Sequence, residues 1–134
     1  MEEYISKIDL QIVSNQTLAF IGDAVYNVYI RTYLASKSNM QTGILHRQSI
    51  KYVSAKAQCK IIDAILESLS EEEVNIYKRG RNTNITTVSK NVDIVEYKKA
   101  TGFEALIGEL YLLKNITRLE EIINMSIKVI DTNN

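Results

Sequence analysis

The chain of 134 residues contains no proline, one cysteine, one histidine and five glycines. Each scarcity excludes something. A lone Cys59 rules out an internal disulfide and fits a reducing compartment. Together with the single His46 it falls short of a structural zinc site. No apolar run reaches the length that spans a bilayer. The opening "MEEYISKIDL" is acidic and lacks the basic-then-apolar order of a secretory signal, so the expected location is the cytoplasm. Charge of one sign is missing too. Sixteen basic and sixteen acidic residues cancel, and bulk charge does not mark a nucleic-acid binder.

What is present is apolar and helical. Apolar residues make up 46%, enough to fold, and the length suits one domain spanning 1–134. Apolar residues recur at three- and four-residue steps, while strand-like alternation is confined to short stretches. Ser14 is expected to cap a helix over 15–35 whose apolar residues are Leu18, Ile21, Val25, Val28 and Tyr29. A second helix follows over 44–52. Ser54 is expected to cap a third that reaches residue 69, with Ala57, Ile61, Ile62, Ile65 and Leu69 inward. "SEEE" at 70–73 has capping-box form, with acids at the positive helix end. That helix should end near Gly80, leaving 81–93 as a polar loop. Asp93 is expected to cap a short turn before a helix over 98–114, and Thr117 the last helix. The expected fold class is all-α, a bundle of six or seven helices.

Charge is unevenly spread. Residues 45–60 carry Arg47, Lys51, Lys56 and Lys60 and no acid, and 78–99 carry six basic residues against Asp93 and Glu96. Residues 63–73 hold five acids. A neutral protein can hold a polyanion on such a local basic stripe; a solvated mixed surface looks the same in sequence.

Two acids stand out by their company. In "LAFIGDAVYNVYIR" (18–31) Asp23 follows Gly22 inside an apolar helix, where glycine costs about 1 kcal/mol relative to alanine. In "ATGFEALIGELYLL" (100–113) Glu104 sits among Phe103, Ala105, Leu106 and Ile107, with Gly108 one turn on. A buried carboxylate is unfavourable unless paired, hydrogen-bonded or bound to a metal. Small residues beside both acids suggest that the helices cross there and the carboxylates meet around a divalent cation. Magnesium suits one or two carboxylates plus waters. The alternative is that each acid bonds only a nearby backbone or basic group. The loop "KRGRNTNITTVSKN" (78–91) has the cations, hydroxyls and amides that suit phosphate and sugar contacts. His46 has no nucleophile to pair with and reads as structural or RNA-contacting. Tyr26, Tyr29 and Tyr33 form a stripe fit for the core or a dimer interface, and Cys59 reads as core.

These segments together resemble the ribonuclease III family. "LAFIGDAVYNVYIR" is similar to its signature helix and "ATGFEALIGELYL" to its second acidic helix. "HRQSIKYVSAKAQ" (46–58) is similar to the basic helix pair between them. "YKRGRN", "VSKN" and "EYKKATGFEAL" resemble the short bacterial branch, Mini-ribonuclease III. The resemblance implies a helical endonuclease domain acting as a homodimer on double-stranded RNA, leaving 5′-phosphate and 3′-hydroxyl ends. It implies one magnesium centre per protomer, with manganese as a substitute, held by catalytic, metal-binding Asp23 and Glu104. It further implies the 23S ribosomal RNA precursor as substrate, with help from a large-subunit ribosomal protein.

Where the wider family carries two more carboxylates, this chain has Ala19 and Thr101, a variation that also resembles the Mini branch. Gln16 replaces a third frequent acid. No double-stranded-RNA-binding domain is expected after the last helix, so RNA must be held by the catalytic domain's own surface. The candidates are Arg79, Arg81, Lys90 and Asn91, with Lys51, Lys56 and Lys60 as a second stripe. The competing expectation is a non-catalytic RNA-binding or ribosome-associated domain that retains this fold.

Overall fold

The computed structural model describes residues 1–37, 39–84 and 92–132, and no strand occurs among them. The helices are α1 (Glu2–Ile5), α2 (Asn15–Lys37), α3 (Thr42–Val53), α4 (Ala55–Ile65), α5 (Glu71–Arg81), α6 (Ile94–Leu112) and α7 (Ile116–Thr132). A 3-10 turn, Leu66–Ser68, follows α4, so the third expected helix tightens four residues before its predicted end.

Capping chemistry sets most starts. Ser14 Oγ accepts from Thr17 N at 3.0 Å and Ser54 Oγ from Ala57 N at 3.1 Å. The Ser70–Glu73 capping box is complete. Asp93 caps α6 itself, through Val95 N and Glu96 N, so that helix begins four residues earlier than expected. Asn115, not Thr117, caps α7, its Oδ1 accepting from Arg118 N at 3.3 Å. Between these helices Lys114 adopts φ 60°, the left-handed turn that ends a helix.

Helix α6 is apolar nearly all round, burying Ala100, Phe103, Ala105, Leu106, Ile107, Leu110 and Leu112. A helix of that kind belongs inside, and α2, α4 and α5 pack around it. Phe103 meets Tyr26 edge-to-face, centroids 5.1 Å apart, and Tyr26 donates to the Tyr52 carbonyl at 2.8 Å.

On α2 the buried stripe is Leu18, Gly22, Tyr26, Ile30 and Leu34, a run of four-residue steps. Val28, one of the apolar residues of the expected helix, is 63% exposed, because that stripe turns the opposite face outward. Gly22 and Gly108 mark the α2–α6 crossing. A Cβ on Gly22 would collide with the Glu104 carbonyl oxygen and lie 2.8 Å from Gly108 N. Of the tyrosine stripe only Tyr26 is fully buried, while Tyr29 and Tyr33 are half-buried against the core. Tyr29 donates to Glu120 at 3.0 Å and Tyr33 to Asp131, tying α2 to α7. Cys59 is only half-buried.

Candidate active site

Helical periodicity places Gln16, Ala19, Phe20 and Asp23 on one face of α2, and Tyr97, Thr101 and Glu104 on one face of α6. The crossing brings the two faces together as the walls of an open cleft of about 330 Å³. Asp23 is exposed and Glu104 half-buried. Asn27 Nδ2 donates to Asp23 Oδ1 at 3.2 Å and to the Asp23 carbonyl at 2.8 Å. Glu104 Oε2 accepts from Gln58 Nε2 at 3.2 Å.

Burial pushes the Glu104 carboxyl up to about 8, and the adjacent Asp23 carboxylate adds to this by a shared hydrogen bond and by repulsion. The Gln58 amide acts in the opposite direction. Two carboxylates that disfavour each other's charge, facing open space, are the arrangement a divalent cation relieves. Magnesium fits, since it binds one or two carboxylates and keeps waters, for which the cleft has room.

The other two positions add no charge. Ala19 is 7% exposed, and the Thr101 hydroxyl donates to the Tyr97 carbonyl of its own helix at 3.0 Å. Among the described residues no three His, Cys, Asp or Glu side chains gather as a metal cluster. Gln16 lines the cleft and donates to the Asn84 carbonyl at 3.4 Å, joining the polar loop's first residues to the rim.

The RNA-contact candidates do not all meet. Lys51, Lys56 and Lys60 are exposed on α3 and α4 and form no ion pair among the described residues. Arg81 lies over the Tyr77 ring, 5.5 Å from its centroid. Arg79 lines a separate cleft with Asn15, Leu18 and Glu109. Lys90 and Asn91 lie outside the described residues. His46 is exposed and lines a third cleft with Arg31 and Thr42, apart from the two acids.

Sequence reasoning passes over Gln58, Asn27 and Tyr97. Gln58 carries a usable signal: a polar side chain inside the apolar stripe of α4, beside Ala57, Ile61 and Ile62.

A model of the Ribonuclease III domain matches residues 16–115. The chain is 46% identical to the Mini-ribonuclease 3 of Streptococcus pneumoniae (strain ATCC BAA-255 / R6), over 92% of this chain and 98% of that protein. It is 47% identical to the Mini-ribonuclease 3 of Clostridium tetani (strain Massachusetts / E88), over 95% and 85% respectively. The crystal structure of protein FN1578 from Fusobacterium nucleatum matches the fold with a TM-score of 0.81 at 38% identity, covering 90% of this chain and 96% of that one. The chain therefore belongs to the ribonuclease III family and is an endoribonuclease of that type. Within the family, it groups with the short Mini-ribonuclease 3 branch.

Proposed function

We propose that residues 1–134 act as one catalytic unit, a magnesium-dependent endoribonuclease that cuts double-stranded RNA as a homodimer. The observation that carries this reading is the convergence of Asp23 and Glu104, from two helices, on one open cleft. Asp23 and Glu104 would hold the ion, with manganese as a substitute. When bound, the ion makes water a usable nucleophile near neutral pH and offsets charge on the scissile phosphate.

The chain's own side chains supply the rest. Asn27 anchors Asp23 by a hydrogen bond. Ala19 and Thr101 leave space that waters and an RNA phosphate would fill. Exposed Lys51, Lys56 and Lys60, with Arg79, Arg81, Lys90 and Asn91, are assigned to the RNA backbone, where cations provide affinity without reading bases. Hydrolysis would leave 5′-phosphate and 3′-hydroxyl ends.

An apolar face supports the homodimer. Phe20 is 80% exposed and Val28 63%, and with Ala24 they form a four-residue-step stripe along α2. Ala24, Val25, Val28, Tyr29, Tyr111 and Ile116 line an apolar groove beside it. Apolar surface of this kind marks an interface, and Phe20 links it to the catalytic cleft. The 23S ribosomal RNA precursor as substrate, a large-subunit ribosomal protein as helper and a cytoplasmic location rest on likeness to the Mini-ribonuclease 3 branch. No described helix is long and apolar enough to cross a membrane.

The test is incubation of duplex RNA with purified protein, in magnesium and in chelator. Cutting in magnesium alone is the expected result. Binding without cutting, in magnesium and in manganese, would overturn the reading in favour of a non-catalytic RNA-binding domain.

A further inference from the structure

Gln58 occupies a place where an apolar side chain would be the ordinary choice. It lies on α4 beside Ala57, Ile61 and Ile62 and is 1% exposed. Its Nε2 donates twice, to the Val53 carbonyl at 3.0 Å and to Glu104 Oε2 at 3.2 Å. Its Oε1 is buried and bonds nothing among the described residues. The amide cannot be turned over to repair this, because Oε1 would then face the Val53 carbonyl oxygen, which can only accept.

A leucine or methionine would occupy similar volume without a buried, unpaired acceptor, which is destabilising. Packing therefore gives no reason for glutamine. What the amide adds is an N–H held against Glu104 from a fixed base. Val53 ends α3 and Ser54 caps α4, so the Val53 bond fastens the amide to the bend between the two helices.

We propose that Gln58 is a positioning residue that holds the Glu104 carboxylate in the orientation the metal requires. This rests on the proposed function, in which Glu104 is a metal ligand. With alanine and threonine at positions 19 and 101, the site has two carboxylates, and the placement of each weighs more heavily on ion affinity. Hydrogen bonds from surrounding groups to ligand carboxylates serve this purpose in metal sites generally. Gln58 takes Oε2, and the hydrogen bond that Glu104 shares with Asp23 is the contact an ion between the two carboxylates would replace.

The test compares the parent with Gln58→Leu and Gln58→Met. Mn2+ binding is measured without RNA from the free-ion paramagnetic resonance signal, and duplex-RNA cleavage is titrated with Mg2+. Both variants should melt close to the parent, because removal of the orphaned acceptor offsets the donor withdrawn from the Val53 carbonyl. Mn2+ affinity should fall at least about tenfold, and the Mg2+ needed for half-maximal cleavage should rise, with cleavage recovering at saturating Mg2+. If one variant fails to fold, the other decides. Unchanged Mn2+ affinity beside a parent that binds Mn2+ and cleaves would overturn the positioning role and leave the nuclease reading standing. Cleavage lowered equally at every Mg2+ concentration, with Mn2+ affinity intact, would overturn that role in the same way. A parent that neither binds Mn2+ nor cleaves would overturn the nuclease reading and this inference together.

Discussion

Gly22 and Gly108 stand back to back where α2 crosses α6: a Cβ on Gly22 would lie 2.8 Å from Gly108 N, and one on Gly108 3.1 Å from Gly22 N. The proposed catalytic pair depends on this contact. Asp23 is the next residue after Gly22, and Glu104 lies one turn before Gly108, so the approach of the two backbones sets the distance between the two carboxylates.

Adding a methyl group at either glycine should push the helices apart. Gly22→Ala and Gly108→Ala are each expected to lower stability by about 1–3 kcal/mol, the range for overpacked interiors, as read by equilibrium denaturation. Cleavage should fall further than the lost stability explains, because the carboxylates separate. Gly43 is the control. A Cβ there meets nothing within 4 Å, and Gly43→Ala, in the first turn of α3, should be neutral or stabilising by up to about 1 kcal/mol. Equal losses at all three positions would refute the crossing argument.

Removing either acid separates chemistry from folding. Asp23→Asn and Glu104→Gln should both retain the helical circular dichroism of the parent and lose magnesium-dependent cleavage of duplex RNA. Near-parental cleavage in either variant would remove that residue from the catalytic role. The pH dependence of stability gives a second reading on Glu104. Its carboxyl rises from an ordinary 4.5 to about 8, first through burial and then through Asp23. Between those values the folded chain binds more protons than the unfolded one, so stability in chelator should decline as pH rises towards about 8 and level off above it. Glu104→Gln should remove that decline, and magnesium should oppose it in the parent. Thermal melts across that window provide the check.

The two acids are legible in the sequence because a charge in a mostly apolar segment is conspicuous, although only Glu104 is half-buried and Asp23 is exposed. The helices are legible because three- and four-residue spacing and capping residues such as Ser14, Ser54 and Ser70 act locally. What sequence misses depends on tertiary context. Val28 fits an apolar helix face as well as Leu18 does, and only the position of α6 decides which is covered. The start of α6 is hard to place because "IVEYK" has few inward residues, Ile94 and Val95 being exposed, whereas Asp93 caps the helix regardless. Gln58 escapes notice because an amide carries no charge, and its importance comes from Glu104, 46 residues away.

Glu73 and Arg118 bind the bundle at a point remote from the cleft. Arg118 Nε and Nη2 donate to Glu73 Oε2 and Oε1 at 2.8 and 2.9 Å, and Nη2 also donates to the Ser68 carbonyl at 2.8 Å. The Arg118 hydrogen bonds hold the Glu73 carboxyl below its usual 4.5, against the opposing effect of burial. The stabilisation is thus present above about 4.5 and lost as pH falls through the depressed value of the folded protein. Arg118→Met should destabilise by roughly 3 kcal/mol near neutrality, because it leaves a buried carboxylate unpaired. The gap between parent and variant should shrink on acidification through that same range. A gap independent of pH would show that Arg118 acts through packing alone.

The assignment of RNA contacts is tested by salt. A cation that neutralises one duplex phosphate contributes about 0.9 to the slope of log affinity against log salt concentration. Lys56 and Lys60 are exposed and free of ion pairs among the described residues. If both contact phosphates, Lys56→Ala/Lys60→Ala should flatten the slope by about 1.8 per protomer and weaken binding across RNA sequences alike. Arg79 and Arg81 begin from different surroundings. Arg79 faces the Glu109 cleft and Arg81 lies on the Tyr77 ring, so each must leave or extend from a protein contact to reach RNA. Arg79→Ala/Arg81→Ala should therefore weaken binding less than the lysine pair while still flattening the slope. Affinity unchanged at several salt concentrations would exclude the arginines from the RNA surface and leave α4 as its basic edge.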